Sequence, residues 1–130
     1  THYMLWGQEH SFGATVLSSS LAIEGSRVAK LTSGTLVEVL ISFALMFVIM
    51  AVATDRRAAG QHAGIAIGTT VALCALVMGP LTGASMNPAR SFGPALLSGN
   101  FQDYWLYLGG PILGAVAGGL TYRWLERATS

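Results

Sequence analysis

Charge is scarce in this sequence. Only 10% of its 130 residues are Asp, Glu, Lys or Arg, against about a quarter in soluble globular domains, while 52% are hydrophobic. That balance excludes an ordinary soluble domain and is the composition of a membrane protein. The formal net charge is +1 and no Lys/Arg cluster occurs, which removes the electrostatic basis for binding nucleic acid. Cysteine is limited to Cys74, which excludes an internal disulfide and a multi-cysteine metal site, and no metal or cofactor is expected. No nucleophile, base and orienting group converge in the pattern, which argues against an enzyme. No secretory leader is visible in the opening Thr-His-Tyr-Met-Leu-Trp-Gly, which has neither a basic flank nor a sufficiently long apolar run. This opening reads as the interior of a longer protein. Present instead are 16 glycines, and close helix packing in lipid favours such small residues.

Residues 1–33 are mixed, with His2, Glu9, His10, Glu24, Arg27 and Lys30 scattered among short apolar stretches. Nothing there spans a bilayer, and a loop is expected. Residues 34–54 are then apolar for about twenty residues, the length a spanning helix needs, with one ionisable side chain, Glu38. Asp55, Arg56 and Arg57 end this first span, a short polar link leads to a second over residues 64–80, and a third runs over residues 104–122 and stops at Arg123. Glycines recur four apart at Gly60, Gly64 and Gly68, and again at Gly110, Gly114 and Gly118, which predicts two helix-packing faces. If the spans cross in sequence, Arg56, Arg57, Arg123 and Arg127 gather on one side and Arg27 and Lys30 on the other. The positive-inside rule then makes the 54–63 link and the C-terminus cytoplasmic and residues 1–33 an extracellular-side loop.

Between the second and third spans, Asn87 to Leu97 reads as a helix that starts inside a hydrophobic region. Asn87 is a preferred N-cap, and Pro88 falls at the first helical position, where its missing N–H is harmless. At about 1.5 Å per residue the helix is about 15 Å long, half of the roughly 30 Å hydrocarbon core. Its N-terminus presents unpaired N–H groups and partial positive charge near the midplane, an arrangement tolerated only where it lines a cavity or is buried in protein. The expected fold class is an all-α membrane protein with three transmembrane helices and one re-entrant half-helix.

Two charges inside this apolar frame demand explanation. Arg90, one turn into the half-helix, is the only basic residue between Arg57 and Arg123, and an intramembrane charge is by default functional. Unpaired, the carboxylate of Glu38 costs at least several kcal/mol, so it needs donors. Loop support and proton relay are both open to it, although a relay needs acidic or histidine partners that the spans lack. Pro94 inside the half-helix removes one backbone bond, normally a loss of about 3 kcal/mol. His62 on the cytoplasmic link reads as an exposed loop histidine, with a titrating gate as the alternative.

The run Gly79-Pro80-Leu81-Thr82-Gly83-Ala84-Ser85-Met86-Asn87-Pro88-Ala89-Arg90-Ser91-Phe92-Gly93-Pro94-Ala95 is similar to the second Asn-Pro-Ala loop of the aquaporins and aquaglyceroporins, the major intrinsic protein family. The likeness extends to Val52-Ala53-Thr54-Asp55 and to Gly110-Pro111-Ile112-Leu113-Gly114, and so covers residues 34–124. The resemblance implies two inverted repeats, each of three spans and a half-helix, whose Asn-Pro-Ala caps meet at the pore centre, with complete pores assembling as a homotetramer. Residues 34–130 correspond to the second repeat; no earlier Asn-Pro-Ala occurs here. It also implies that Asn87 turns its NH2 into the pore, that Arg90 is the filter arginine, and that Ala75 and Ala84 are the other filter positions of this half. The carbonyls of Gly83, Ala84, Ser85 and Met86 are expected to face the pore, with Glu38 accepting hydrogen bonds from the loop's backbone N–H groups. Cys74 lies about 100° round the helix from Ala75 and reads as a small buried residue.

Narrow water-selective members of the family carry His where this chain has Ala75. Alanine there implies a wider filter that admits glycerol, urea or undissociated metalloid hydroxides alongside water, with a fourth filter residue supplied by the missing repeat. Ser91 and Ala95 look water-type, and Tyr107 with aliphatic Leu108 resembles the nodulin-like subgroup, which combines water-type loops with wide filters. The implied function is a passive channel for water and small neutral solutes in a plasma or cytoplasmic membrane, with the lipid bilayer and the first repeat as partners. Two other classes stay open. A secondary transporter also builds substrate sites from broken helices at the midplane, and a non-conducting structural or adhesion protein can keep the same fold.

Overall fold

A computed structural model describes residues 13–21, 26–54 and 62–129. Among these the elements are a 3-10 turn, Ser19–Leu21, and four α-helices, with no strand. Helix α1 is Arg27–Ile49 and continues as a π-helical stretch, Met50–Thr54; α2 is Ala63–Thr82, α3 is Pro88–Ser98 and α4 is Tyr104–Thr129. The chain is all-α, and α1 with its continuation and α2 are long and apolar enough to cross a membrane.

Helix bounds and apolar bounds differ. The first helix starts at Arg27 rather than near residue 34, because Ser26 caps it: Ser26 Oγ accepts the Ala29 N–H at 3.5 Å. At the other end of the chain, α4 runs past Tyr122 to Thr129, since Arg123, Glu126 and Arg127 favour helix as strongly as apolar residues do. Hydropathy marks where polarity changes, and the helix continues through that change. Helix α3, by contrast, starts and stops sharply. Asn87 is extended at φ −154°, its side-chain oxygen accepts the Ala89 N–H at 2.9 Å, and Gly99 closes the other end in the left-handed region at φ 67°. At about 1.5 Å per residue, α3 is about 16 Å long.

The main packing is α4 on α1, and it depends on one of the two glycine stripes. Gly110, Gly114 and Gly118 are buried against α1. A Cβ at Gly114 would stand 2.2 Å from the carbonyl oxygen of Val39 and 2.9 Å from Ser42 Cβ, and one at Gly118 would stand 2.6 Å from the Phe43 carbonyl. The two backbones are in contact, as small residues permit. The α2 stripe behaves differently: nothing lies within 4 Å of a Cβ built on Gly64 or Gly68, and Gly60 falls outside the described residues. The expected packing face on α2 therefore has no partner among the described residues, because fourfold spacing makes a helix face smooth without supplying a neighbour. Arg56 and Arg57, on which the orientation rests, also fall outside the described residues.

The segment ahead of α1 is anchored at two points. Leu17 joins Leu106 and Tyr107 in a buried cluster flanked by Leu21 and Leu31, and the Ser18 N–H donates to the Leu81 carbonyl at 2.8 Å. It thereby holds the end of α2. Much of α2 and α3 stays uncovered, with Leu73, Leu76, Val77, Phe92, Leu96 and Leu97 exposed.

Gly114→Ala drives a methyl into the backbone of α1, and overpacking of this kind destabilises by about 1–3 kcal/mol. Gly109→Ala, where a Cβ meets nothing within 4 Å, is expected to keep stability or raise it by up to about 1 kcal/mol, since alanine favours helix over glycine. Thermal unfolding of the two variants in detergent checks the contrast; equal melting temperatures would mean that α1 and α4 are not in backbone contact.

Candidate functional site

The site is built on the five residues between α2 and α3. Gly83 ends α2 in the left-handed region at φ 80°, and its N–H donates to the Gly79 carbonyl at 2.8 Å. No side chain fits there, since a Cβ would lie 2.9 Å from Thr15 Cα. Ala84 at φ 44° and Met86 at φ 53° are also left-handed although neither is glycine. Each costs about 1–2 kcal/mol in that conformation. Something outside the loop must hold it.

Glu38 holds one edge. Its side chain is fully buried. Oε1 accepts the Thr82 hydroxyl at 2.8 Å and the Ser85 N–H at 2.9 Å, while Oε2 accepts the Met86 N–H at 2.9 Å. Thr82 in turn accepts the Ala84 N–H at 3.2 Å, so three successive backbone donors are tied directly or through one hydroxyl to the carboxylate. Arg90 holds the opposite edge. Its Nη1 donates to the Gly83 carbonyl at 3.2 Å and to the Ala84 carbonyl. The loop thus lies between a carboxylate that takes its N–H groups and a guanidinium that takes its C=O groups.

Two tyrosines of α4 fix the flanks. Tyr107 donates to the Thr82 carbonyl at 2.8 Å at the end of α2, and Tyr104 to the Pro88 carbonyl at 3.3 Å at the start of α3. A line of hydroxyls runs behind the loop. Ser85 Oγ donates to the Asn87 carbonyl at 2.8 Å and lies 2.6 Å from Ser91 Oγ, which lies 2.7 Å from Thr15 Oγ1.

Ala75, Ala84, Ser85, Met86, Asn87 and Arg90 share the wall of one open cavity of about 440 Å³, lined further by residues of α1, α2 and α4 such as Leu45, Val71 and Ala115. Gly83 is not part of that wall: its carbonyl is taken by Arg90. Glu38 stands behind the loop, and Cys74 does not reach the cavity. At Asn87 the cap decides the amide's orientation. Its oxygen is used by the Ala89 N–H, so the NH2 is the end left as a donor. Within Arg90, only Nη1 is used on the loop, leaving Nη2 and Nε as further donors. His62 is exposed at the N-cap position of α2 and makes no side-chain cap bond.

Sequence patterning did not point to Thr82, Thr15 or Ser42. Thr82 and Thr15 act through hydroxyls on a loop that no periodicity describes. Ser42 is a buried wall residue of the cavity, one turn beyond Glu38 on α1, and its Oγ has no partner among the described residues. Its spacing from Glu38 was the available signal. Among the described residues, no group of three or more His, Cys, Asp and Glu side chains gathers as a metal site would require.

The sequence that builds this arrangement of a capped half-length helix, a buried glutamate and an arginine folded back on one loop has known relatives. Residues 11–122 match the model of the family described as the major intrinsic protein, and the chain belongs to that family. Within it the chain is of the nodulin-like aquaporin type. It is 56% identical over 86 residues to a protein of Arabidopsis thaliana named putative aquaporin NIP4-1, covering 66% of this chain and 30% of that one. It is also 56% identical over 95 residues to aquaporin NIP3-1 of the same plant, covering 73% and 29%, and 55% identical over 86 residues to nodulin-26 of Glycine max, covering 66% and 32%. The chain spans about a third of the length of the curated relatives it matches.

Glu38→Gln keeps one acceptor oxygen and turns an NH2 toward the Ser85 or Met86 N–H. The expected loss is about 1.5–3 kcal/mol, the range for a hydrogen bond to a charged group. Thr82→Val removes a neutral link and is expected to lose about 1 kcal/mol. Thermal unfolding in detergent ranks the two; a Glu38→Gln variant as stable as the native protein rules out the carboxylate as the loop's anchor.

Proposed function

We propose that this chain is the second of two repeats of a passive channel for water and small uncharged solutes. The observation that carries the reading is the convergence of Asn87 and Arg90, with small Ala75 and Ala84, on one cavity wall at the blunt start of a half-length helix. The Asn87 NH2 and the helix N-terminus favour a guest's oxygen and disfavour protons and cations. Arg90 offers its remaining donors to a passing hydroxyl. The carbonyls of Ser85 and Met86 serve as acceptors, and those of Gly83 and Ala84 are shared with Arg90. With alanine at both filter positions of this half, the passage is wide enough for glycerol, urea or undissociated metalloid hydroxides as well as water.

The exposed polar groups argue for a partner. Asn87 and Arg90 are exposed in this chain, beside uncovered apolar residues of α2 and α3. Lipid cannot solvate a guanidinium. A first repeat, from the same protein or another chain, covers that side and supplies the remaining filter residue. Exposed Trp105 and Trp124 support α4 as a third span. They stand about 28 Å apart along the axis, matching the two interfacial belts in which tryptophan is enriched. In this reading residues 34–130 form the repeat, its first helix reaching back to Arg27, and the preceding segment lies on the extracellular side. Complete pores associate in fours in the plasma membrane. Coupled transport has less support, because both oxygens of Glu38 are already committed to Thr82, Ser85 and Met86.

Stopped-flow swelling of proteoliposomes that hold this repeat together with its first repeat tests the reading: accelerated volume change without any ion gradient is expected for water and for urea. Acceleration that requires a gradient identifies a transporter, and none identifies a structural protein. Arg90→Ala is expected to raise permeability to larger solutes and to admit cations, read by swelling and current; unchanged selectivity removes Arg90 from the filter. Ala75→His is expected to lower urea permeability more than water permeability in the same assay.

A further inference from the structure

A second cavity, of about 160 Å³, shares no lining residue with the first. Its walls include Thr15, Lys30, Ser91, Asn100 and Tyr107. The two cavities are joined by side-chain hydroxyls. Thr15 and Ser91 wall the second cavity, Ser85 and Asn87 the first, and the contacts Thr15 Oγ1 to Ser91 Oγ, Ser91 Oγ to Ser85 Oγ and Ser85 Oγ to the Asn87 carbonyl measure 2.7, 2.6 and 2.8 Å. Ser91 and Ser85 are buried.

The proton count fixes the direction of this line. Each hydroxyl has one proton, and a carbonyl only accepts. Ser85 commits its proton to the Asn87 carbonyl, so Ser91 donates to Ser85 and Thr15 to Ser91, with the Tyr107 hydroxyl, whose own proton goes to the Thr82 carbonyl, as the second acceptor within reach of Thr15. Ser85 also accepts the Asn87 N–H at 3.4 Å, which places the peptide groups on both sides of the Asn87 Cα under one hydroxyl. The line ends on an acceptor and cannot pass a proton onward. Its effect is to orient.

We propose that Thr15 is a positioning residue for the selectivity of this channel: acting through Ser91 and Ser85, its hydroxyl holds the Asn87 backbone in the orientation that aims the Asn87 amide and the first turn of α3 into the permeation path. The proposal rests on the channel reading above. Thr15 lies ahead of α1, in a segment that the composition of the chain marks only as loop. Without its proton, the buried Ser91 oxygen keeps an unfilled acceptor site, and the direction of the remaining hydroxyls is no longer determined. The cap residue then samples more than one orientation, and larger guests pass more readily.

The test is Thr15→Val, which keeps the side-chain shape and removes only the hydroxyl, in the protein with whatever flanking sequence its reading frame supplies, reconstituted in liposomes. The readout is the ratio of urea to water permeability. A merely structural role lowers both in proportion to the folded fraction and leaves the ratio unchanged. The expected ratio rises about fivefold, the factor corresponding to one hydrogen bond of about 1 kcal/mol. Thr15→Ser restores the native ratio, and Ser91→Ala shifts it in the same direction as Thr15→Val. A native ratio in both hydroxyl-deleted variants overturns the proposal while leaving the channel intact. If Thr15→Val does not fold, Ser91→Ala decides by the same ratio. A native protein that speeds neither water nor urea overturns the channel reading, and this proposal with it.

Discussion

A carboxylate buried away from solvent must be surrounded by donors, and meeting that demand at Glu38 organises the rest of the structure. The donors come from the end of α2 and from the backbone of the following loop, so a single residue of α1 determines where α2 stops and in which direction α3 sets out. Left-handed Ala84 and Met86 together oppose this conformation by about 2–4 kcal/mol. Three hydrogen bonds to a charged group, each contributing about 1.5–3 kcal/mol, outweigh that opposition. The loop keeps a conformation it would not adopt alone. The close approach of α4 seals the arrangement: a Cβ at Gly110 would lie 2.8 Å from Glu38 Cβ, so only glycine lets α4 approach that closely.

The chain has two unlike sides. On one, α1, α4 and the anchored segment around Leu17 pack closely and hold the loop from behind. On the other, α2 and the start of α3 present apolar residues, a smooth glycine face and two polar side chains, Asn87 and Arg90, with none of the described residues over them. Apolar residues alone could face lipid. A guanidinium and a primary amide beside them are costly in lipid, which is what the proposed first repeat would relieve.

Legibility followed the physical origin of each feature. The half-helix was readable from local chemistry, because Asn-Pro at its start and Gly99 after its end are cap signals that act within one turn. The all-α class and two apolar helices were readable from composition. Helix ends at Arg27 and Thr129 were not, because hydropathy records the surroundings of a helix and says little about its hydrogen bonds. The two glycine stripes looked alike in sequence and differ in space, since packing needs a second surface that spacing cannot specify. At the loop, the need of Glu38 for donors was foreseeable from burial alone, and its link to loop N–H groups came from the family resemblance. That Thr82 relays one of those contacts, that Arg90 binds the carbonyls on the other edge, and that Thr15 closes a line of hydroxyls behind it depend on a non-repeating backbone path that no periodicity encodes.

If the chain works as the channel proposed above, the gripping of one short loop from both edges has a bearing on how guests are chosen. With its amide hydrogens held by a carboxylate and its oxygens by a guanidinium, the loop would have little freedom to yield as a molecule passed, and would act as a finished gauge that does not mould itself to each visitor. Discrimination in such a channel would be settled once, when the polypeptide folds, and each transit would merely read off a dimension already set.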